Sequence, residues 1–142
     1  MNKILCRSFL IWSAVLISAS AQETVQFGAF GTVTLYRNTP HPKHVVLFVS
    51  GDGGWNLGVI GMAKVLAGMD ALVAGIDIIH TLKVLERSAQ PCGYPASDFE
   101  ELSKFIQKHC GFPEYVTPVL AGYSSGATLV YAVLVQAPAS TS

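Results

Sequence analysis

Charged residues are scarce in this sequence. Lys and Arg together number nine and Asp and Glu also nine among 142 residues, so the formal net charge at pH 7 is zero. Proteins that bind nucleic acid carry a concentrated positive patch, and no excess of cations is available here. We therefore expect no nucleic-acid partner. Hydrophobic residues make up 51% of the chain, which favours a compact globular domain over a disordered chain.

The sequence has only three cysteines and no recognisable motif for a metal or a nucleotide cofactor. No spacing of His, Cys, Asp and Glu resembles a metal-ligand set, and the chain lacks the lysine of a P-loop and the G-x-G-x-x-G dinucleotide pattern. We expect no metal and no cofactor. A Cys92–Cys110 disulfide is disfavoured, because a helix predicted over residues 97–109 spans about 20 Å and residues 92–97 reach back at most about 17 Å.

Residues 1–21 differ from the rest of the chain. Two basic residues precede an apolar run over residues 9–17, and an Ala-Ser-Ala sequence ends at Ala21. This order is typical of a cleavable secretory signal, whereas a membrane anchor needs about 20 apolar residues. We predict a signal peptide over residues 1–21, cleavage before Gln22 and a periplasmic location. The mature domain, residues 22–142, then has seven basic and nine acidic residues.

Strand and helix patterns alternate along the mature domain. A hairpin is predicted over residues 24–37, buried strands over 44–49, 71–77 and 118–123, and helices over 57–67, 97–109 and 126–136. Ser97 and Glu100 have the spacing of a capping box at the start of the second helix. Residues 80–95 predict only a short irregular element and a loop. This order predicts an α/β fold whose sheet is mostly parallel, with helices on both faces.

One short motif indicates chemistry. Residues 122–126, Gly-Tyr-Ser-Ser-Gly, match G-x-S-x-G between a predicted strand and a predicted helix. This is the context of a nucleophile elbow, in which a tight turn lifts the serine clear of the sheet. Ser124 is the predicted nucleophile, and the N–H of Ser125 is predicted to help bind the oxyanion. The alternative is an ordinary Gly/Ser turn.

A second oxyanion donor is expected from the loop after an earlier strand. Residues 50–55, Ser-Gly-Asp-Gly-Gly-Trp, follow the first buried strand. The predicted donor is the backbone N–H of Asp52, or that of Gly53 if the loop is shifted by one residue. A plain turn and a nucleotide-binding loop are the alternatives. Trp55 is predicted to cover the sheet in preference to contacting substrate.

Residues 48–55 together with residues 122–127 resemble the VirJ-type bacterial virulence proteins, an α/β-hydrolase family that includes the AcvB proteins. The resemblance covers roughly residues 45–138. It implies an α/β-hydrolase fold and a periplasmic serine esterase that acts on aminoacylated phospholipid, such as lysyl-phosphatidylglycerol, at the membrane surface. It also implies a link to type IV secretion and virulence. Carried over by position, Ser124 is the nucleophile and Gly51–Gly54 form the oxyanion loop.

The sequence departs from this family after Ser124. The triad of an α/β-hydrolase runs Ser, Asp or Glu, then His along the chain, but the 18 residues after Ser124 contain no acidic residue and no histidine. The four histidines, all earlier in the chain, are expected to be structural or solvated: His41, His44, His80 and His109. Residues 22–142 are therefore expected to be a truncated N-terminal part of the domain, without its later strands, catalytically inactive and poorly behaved in solution.

Three functions remain open from the sequence. The first is an exported serine hydrolase, and the second is a non-catalytic periplasmic accessory protein that binds lipid or secretion-system components. The third is a degenerate protein without a stable fold. Asp52 raises an electrostatic question, because a carboxylate beside a developing oxyanion opposes its charge. Its side chain is expected to be tied to its own loop or to meet the ammonium of a lysyl substrate.

Overall fold

The computed structural model describes residues 22–87 and 94–137, which form one sheet of five strands, four α-helices and a short 3-10 helix (Gly28–Phe30) between the first two strands. The strands are β1 (Glu23–Phe27), β2 (Gly31–Tyr36), β3 (His44–Val49), β4 (Ala71–Ile76) and β5 (Val119–Gly122). The helices are α1 (Leu57–Ala67), α2 (Ile78–Arg87), α3 (Pro95–His109) and α4 (Ser125–Gln136). The fold is therefore of the α/β class, as the alternating patterns predicted.

The sheet is mixed, with the strand order β1-β2-β4-β3-β5. Strand β3 runs parallel to β4 and β5, while β2 is antiparallel to both β1 and β4. The predicted hairpin is confirmed as β1 and β2, but the predicted mostly parallel sheet is wrong in that half of the strand pairings are antiparallel. The connection over residues 37–43 joins β2 to β3 and is shorter than the crossover of a dozen or more residues that parallel strands need. Strand β2 therefore runs opposite to β3, and also opposite to β4, which lies between them and is parallel to β3.

Helices cover both faces of the sheet, as predicted. Alternate side chains of β3 point to opposite faces, with Leu47 in one buried cluster and Phe48 in the other. Helix α1 packs on the Phe48 face through Val59, Ala63 and Ala67. Helices α3 and α4 pack on the Leu47 face through Phe99, Leu102, Ile106, Val130 and Val133. The continuous apolar run of β3 thus reflects burial on both sides.

Helix α2 corrects the prediction for residues 80–95. A helix of ten residues starts directly after β4, where an irregular element was expected. The carboxylate of Asp77 accepts hydrogen bonds from the backbone N–H groups of Ile79 (2.8 Å) and His80 (3.4 Å) and so caps the helix start. The signal was an N-cap aspartate before apolar residues at helical spacing. Residues 88–93, which include Cys92 of the disfavoured disulfide, lie outside the described residues.

Helix α3 begins earlier than its predicted capping box. The helix starts at Pro95, and the hydroxyl of Ser97 donates to the carbonyl of Tyr94 at 3.0 Å instead of capping a free N–H group. Glu100 pairs with Lys104 one turn later. The capping box is therefore wrong. Proline suits the first helical position because its φ is preset for a helix and its missing N–H needs no partner there.

Strand β5 lies at one edge of the described sheet. Its only strand partner among residues 22–87 and 94–137 is β3, and the Val119 side chain is 58% exposed. An apolar groove of about 610 Å³ runs beside it, lined in part by Leu120, Val133 and Leu134. Within the described part of the chain, no helix is both long and apolar enough to span a membrane.

Candidate active site

The carboxyl ends of β3 and β5 meet at the point where the chain changes faces. After β3 the chain passes through α1 on one face, and after β4 it passes through α3 on the other face to reach β5. Crevices at such switch points bind ligands in open α/β sheets. Two segments from the sequence motifs lie here: the loop over residues 50–55, and the turn at Ser124. The topology thus brings both predicted site segments to the carboxyl ends of two neighbouring strands, β3 and β5.

The turn at Ser124 has an unusual backbone. Ser124 has φ 56° and ψ −123°, a combination that costs a residue with a side chain on the order of 1–3 kcal/mol. Hydrogen bonds hold the turn on both sides, from the Tyr123 N–H to the Val49 carbonyl (3.0 Å) and from the Gly126 N–H to the Tyr123 carbonyl (2.9 Å). The Ser124 side chain is exposed. Strain at an exposed serine between a strand and a helix is the geometry of a nucleophile elbow.

Packing explains both glycines of the motif. A Cβ at Gly122 would lie 2.4 Å from the backbone of Gly126, and a Cβ at Gly126 would lie 2.3 Å from the Ser50 carbonyl oxygen. These contacts are with backbone atoms, which cannot move as the end of a side chain can. The spacing of the two glycines therefore lets α4 start directly against the ends of β5 and β3.

The loop after β3 contacts the serine turn. A Cβ at Gly51 would lie 3.0 Å from Ser124 Cβ and 3.1 Å from the Tyr123 carbonyl oxygen. Glycine at this position allows the close approach. The two segments that the sequence predicted as one site are therefore neighbours in space.

Several backbone N–H groups around Ser124 are unpartnered. Within residues 22–87 and 94–137, the N–H groups of Asp52, Gly53 and Ser125 make no hydrogen bond. The loop's shape is kept by other bonds, with the Gly54 N–H donating to the Gly51 carbonyl at 2.8 Å. Unpartnered amides beside a strained serine, one of them at the start of α4, can stabilise a developing oxyanion. Their catalytic roles, and that of Ser124, stay predictions.

The side chain of Asp52 is exposed and makes no hydrogen bond or ion pair within the described residues. The expectation that its carboxylate is tied to its own loop is therefore wrong. The Asn56 side chain instead hydrogen-bonds to the loop and to the start of α1. Its Nδ2 donates to the Gly53 carbonyl at 3.0 Å, and its Oδ1 accepts from the Gly58 N–H at 3.1 Å. Asp52 is left available to a ligand.

Trp55 covers the sheet, as predicted. A Cβ at Gly75 would lie 2.0 Å from the Trp55 ring, so the indole lies directly over that glycine of β4. The ring contacts Phe48 edge to face, with 5.7 Å between centroids, and its Nε1 donates to the Tyr36 hydroxyl at 3.0 Å. Trp55 thus anchors the end of the loop to three strands.

Two residues that join the ends of β3 and β4 were missed by the motif reasoning. The fully buried hydroxyl of Ser50 accepts from the Ile78 N–H at 3.0 Å, and the Asp77 carboxylate accepts from the Trp55 N–H at 3.2 Å. Ser50 belongs to the recognised motif, but its role is to cap α2. Asp77 lies outside both motifs, and only its position after a buried strand could have indicated it.

The histidines occupy structural or exposed positions. His109 Nε2 lies 2.7 Å from a carboxylate oxygen of Glu23, and its ring stacks on Phe105. His80 lies against Gly31. His41 and His44 are exposed. Within the described part of the chain no histidine or carboxylate hydrogen-bonds to Ser124, and no group of three or more His, Cys, Asp and Glu could hold a metal ion.

These features define an α/β protein with an exposed serine on a strained strand-to-helix turn, facing a loop with unpartnered amide groups. The family model described as bacterial virulence protein (VirJ) matches residues 43–142, which contain both motifs. The chain belongs to this VirJ family of bacterial virulence proteins. Comparisons with curated proteins and with solved structures gave no match.

Proposed function

We propose that this protein is an exported serine hydrolase of the α/β-hydrolase type that cleaves carboxylic esters. Ser124 attacks the carbonyl carbon of the substrate, and the N–H groups of Ser125 and of Asp52 or Gly53 bind the oxyanion. The Ser124 hydroxyl proton passes to a general base, which gives it to the alcohol oxygen as the ester C–O bond breaks, and the same base then deprotonates the water that releases the acyl group from the serine. The proposal requires this base in addition to the contacts described, since no histidine or carboxylate within residues 22–87 and 94–137 hydrogen-bonds to Ser124. The observation that supports this proposal best is the exposed Ser124 at φ 56° beside unpartnered amides.

The proposed substrate is an aminoacylated phospholipid, such as lysyl-phosphatidylglycerol, at the periplasmic membrane surface. The family resemblance supports the lipid class. Asp52 supports a cationic head group, since its exposed carboxylate has no partner within the described residues and follows Gly51, which contacts the serine turn. Exposed ion pairs contribute only about 0.2–1 kcal/mol, so we expect Asp52 to adjust substrate preference and not to determine it.

A fluorophosphonate probe tests the reaction on the protein produced from its own gene. Such a probe labels a serine only when a general base activates it. We expect wild type and Ser125→Ala to be labelled and Ser124→Ala to remain unlabelled, because Ser125 contributes a backbone N–H that alanine keeps. Ester hydrolysis by Ser124→Ala should fall by about 10⁴-fold or more. Equal losses from both substitutions would contradict the elbow assignment.

A second assay tests the substrate. Asp52→Asn is expected to lower the hydrolysis of lysyl-phosphatidylglycerol about 2- to 5-fold and to leave that of alanyl-phosphatidylglycerol, which lacks the side-chain ammonium, unchanged. Glu114→Gln removes an exposed charge near the opposite end of β5 and serves as the control. An unchanged ratio of lysyl to alanyl hydrolysis in Asp52→Asn would exclude the substrate role.

The alternative is a non-catalytic periplasmic accessory protein linked to type IV secretion, which binds lipid or secretion-system components. The observation that favours it is the lack of any described histidine or carboxylate that hydrogen-bonds to Ser124. Without a base the hydroxyl is a weak nucleophile. Wild-type protein that is neither labelled by the probe nor able to hydrolyse ester, although folded, would support this alternative.

A further inference from the structure

We propose that Asp77 is a positioning residue for the oxyanion loop, Gly51–Gly54. This inference rests on the proposed hydrolase function, because it assigns the residue that holds the loop's donors in place beside Ser124. Asp77 does not belong to either sequence motif, and it lies directly after β4.

The Asp77 carboxylate joins two elements. One oxygen, Oδ2, accepts from the Trp55 N–H at 3.2 Å. The other, Oδ1, accepts from the Ile79 N–H at 2.8 Å at the start of α2. A Cβ at Gly54 would lie 3.2 Å from Oδ2, so the loop backbone lies directly against the carboxylate. A single side chain therefore connects the end of the oxyanion loop to a helix start.

This connection restrains the loop at the end farther from Ser124. At the other end, Gly51 packs against Ser124 Cβ. The Trp55 N–H immediately follows the loop, so its bond to Asp77 determines where Gly54 can lie. The bond from the Gly54 N–H to the Gly51 carbonyl keeps the internal shape of the loop, but without the bond to Asp77 the loop can shift as a unit, and the amides of Asp52 and Gly53 shift with it. Oxyanion donors act only when held within hydrogen-bond distance of the reacting oxygen.

Asparagine separates the positioning role from helix capping. Asn and Ser are as good as Asp at a helix N-cap. The Asn side chain, however, has one acceptor oxygen and one donor nitrogen, so at position 77 it can accept from Ile79 or from Trp55 but not from both. Serine is too short to span the two elements. If Asp77 served only α2, both substitutions would be harmless.

The test measures ester hydrolysis, thermal unfolding and hydrogen exchange for the protein produced from its own gene. Asp77→Asn and Asp77→Ser are compared with wild type. The control is Asp70→Asn, the same chemical change at the other end of β4, where the carboxylate pairs with Lys43 and accepts from Thr39. Asparagine tolerates the positive φ of 60° at position 70 as well as aspartate does.

We expect Asp77→Asn and Asp77→Ser to lower kcat about 10- to 100-fold with KM unchanged within about threefold. The hydrogen-bonded amides of Gly54 and Trp55 should exchange faster, while α2 and the thermal midpoint, within about 4 °C, stay as in wild type. Asp70→Asn should match wild type in kcat and in loop exchange.

Two outcomes would overturn the role of Asp77. One is wild-type kcat and loop exchange in Asp77→Asn. The other is a kcat loss accompanied by faster exchange throughout the domain and a large fall in the thermal midpoint, which would show a purely structural role. Failure of the proposed function gives a different result: wild type would then show no Ser124-dependent hydrolysis. In that case, hydrogen exchange in the Asp77 variants still reports whether Asp77 restrains the loop.

Discussion

Replacing Gly126 with alanine should destabilise the protein strongly. The added Cβ would lie 2.3 Å from the Ser50 carbonyl oxygen and 2.5 Å from the Val49 carbonyl oxygen, about 1 Å closer than the optimal separation of roughly 3.5 Å. Both neighbours are backbone atoms of the chain at the end of β3, so α4 has to move away from the sheet. Overpacking of this kind typically costs 1–3 kcal/mol, and we expect a loss near the upper end, about 3 kcal/mol.

Urea unfolding followed by the fluorescence of Trp55, the only tryptophan after residue 21, measures this loss. With an m-value of about 1.5 kcal/mol/M, a loss of about 3 kcal/mol moves the midpoint down by about 2 M. The matched control is Gly61→Ala in α1, where an added Cβ meets nothing within 4 Å. Alanine in a helix interior should stabilise by about 0.5–1 kcal/mol relative to glycine.

A Gly126→Ala protein with the wild-type midpoint and m-value would refute the reasoning, because α4 could not then lie as close to β3 as described. Equal destabilisation by Gly61→Ala would instead show that the effect has nothing to do with the contact at the serine turn. Hydrolysis should fall together with stability in Gly126→Ala, since Ser124 directly precedes α4 and moves with it.

Three further predictions concern the signal and the serine turn. Mass spectrometry of exported protein should give a mature N-terminus at Gln22; retention of residues 1–21 would contradict the signal assignment. Ser124→Gly should raise the free energy of unfolding by about 1 kcal/mol, because glycine relieves the positive φ of 56° at some entropic cost. Ser124→Ala keeps the backbone strain, so equal free energies of unfolding for Ser124→Gly and Ser124→Ala would argue against strain at this position. Ser125→Ala should stabilise by about 1 kcal/mol, because Ser125 Oγ is buried without a hydrogen-bond partner; a loss of stability would show an undetected partner.

Local patterns were sufficient to predict most of the secondary structure. The continuous apolar run at residues 44–49 predicted a doubly buried strand, and β3 is buried on both faces. Helix α1 was expected from apolar residues at helical spacing, and α4 from a run rich in small residues. The start of α3 was misplaced because Pro95 was not recognised as a first helical residue, and α2 was missed because Asp77 was not recognised as its cap.

The two segments of the candidate site, which the structure places side by side, were also singled out from the sequence. Glycines two residues before and after Ser124 indicated a tight turn, and Ser50–Trp55 indicated an oxyanion loop after a strand. What those glycines contact could not be read from the motif. Gly122 lies against the backbone of Gly126, and Gly126 lies against the backbone at the end of β3. Gly51 lies against Ser124, which is more than seventy residues further along the chain.

By itself, the sequence determined the order of the five strands and of helices α1, α3 and α4, the positions of the tight turns and the family, because burial periodicity and glycine backbone freedom act over a few neighbouring residues. The tertiary structure alone decided that β2 joins β4 antiparallel, that Trp55 lies over Gly75 and that the Asp77 carboxylate accepts from the Trp55 N–H. Each of these contacts depends on which strands become neighbours in the sheet. That choice is made by packing between residues far apart in the chain, which no local pattern records.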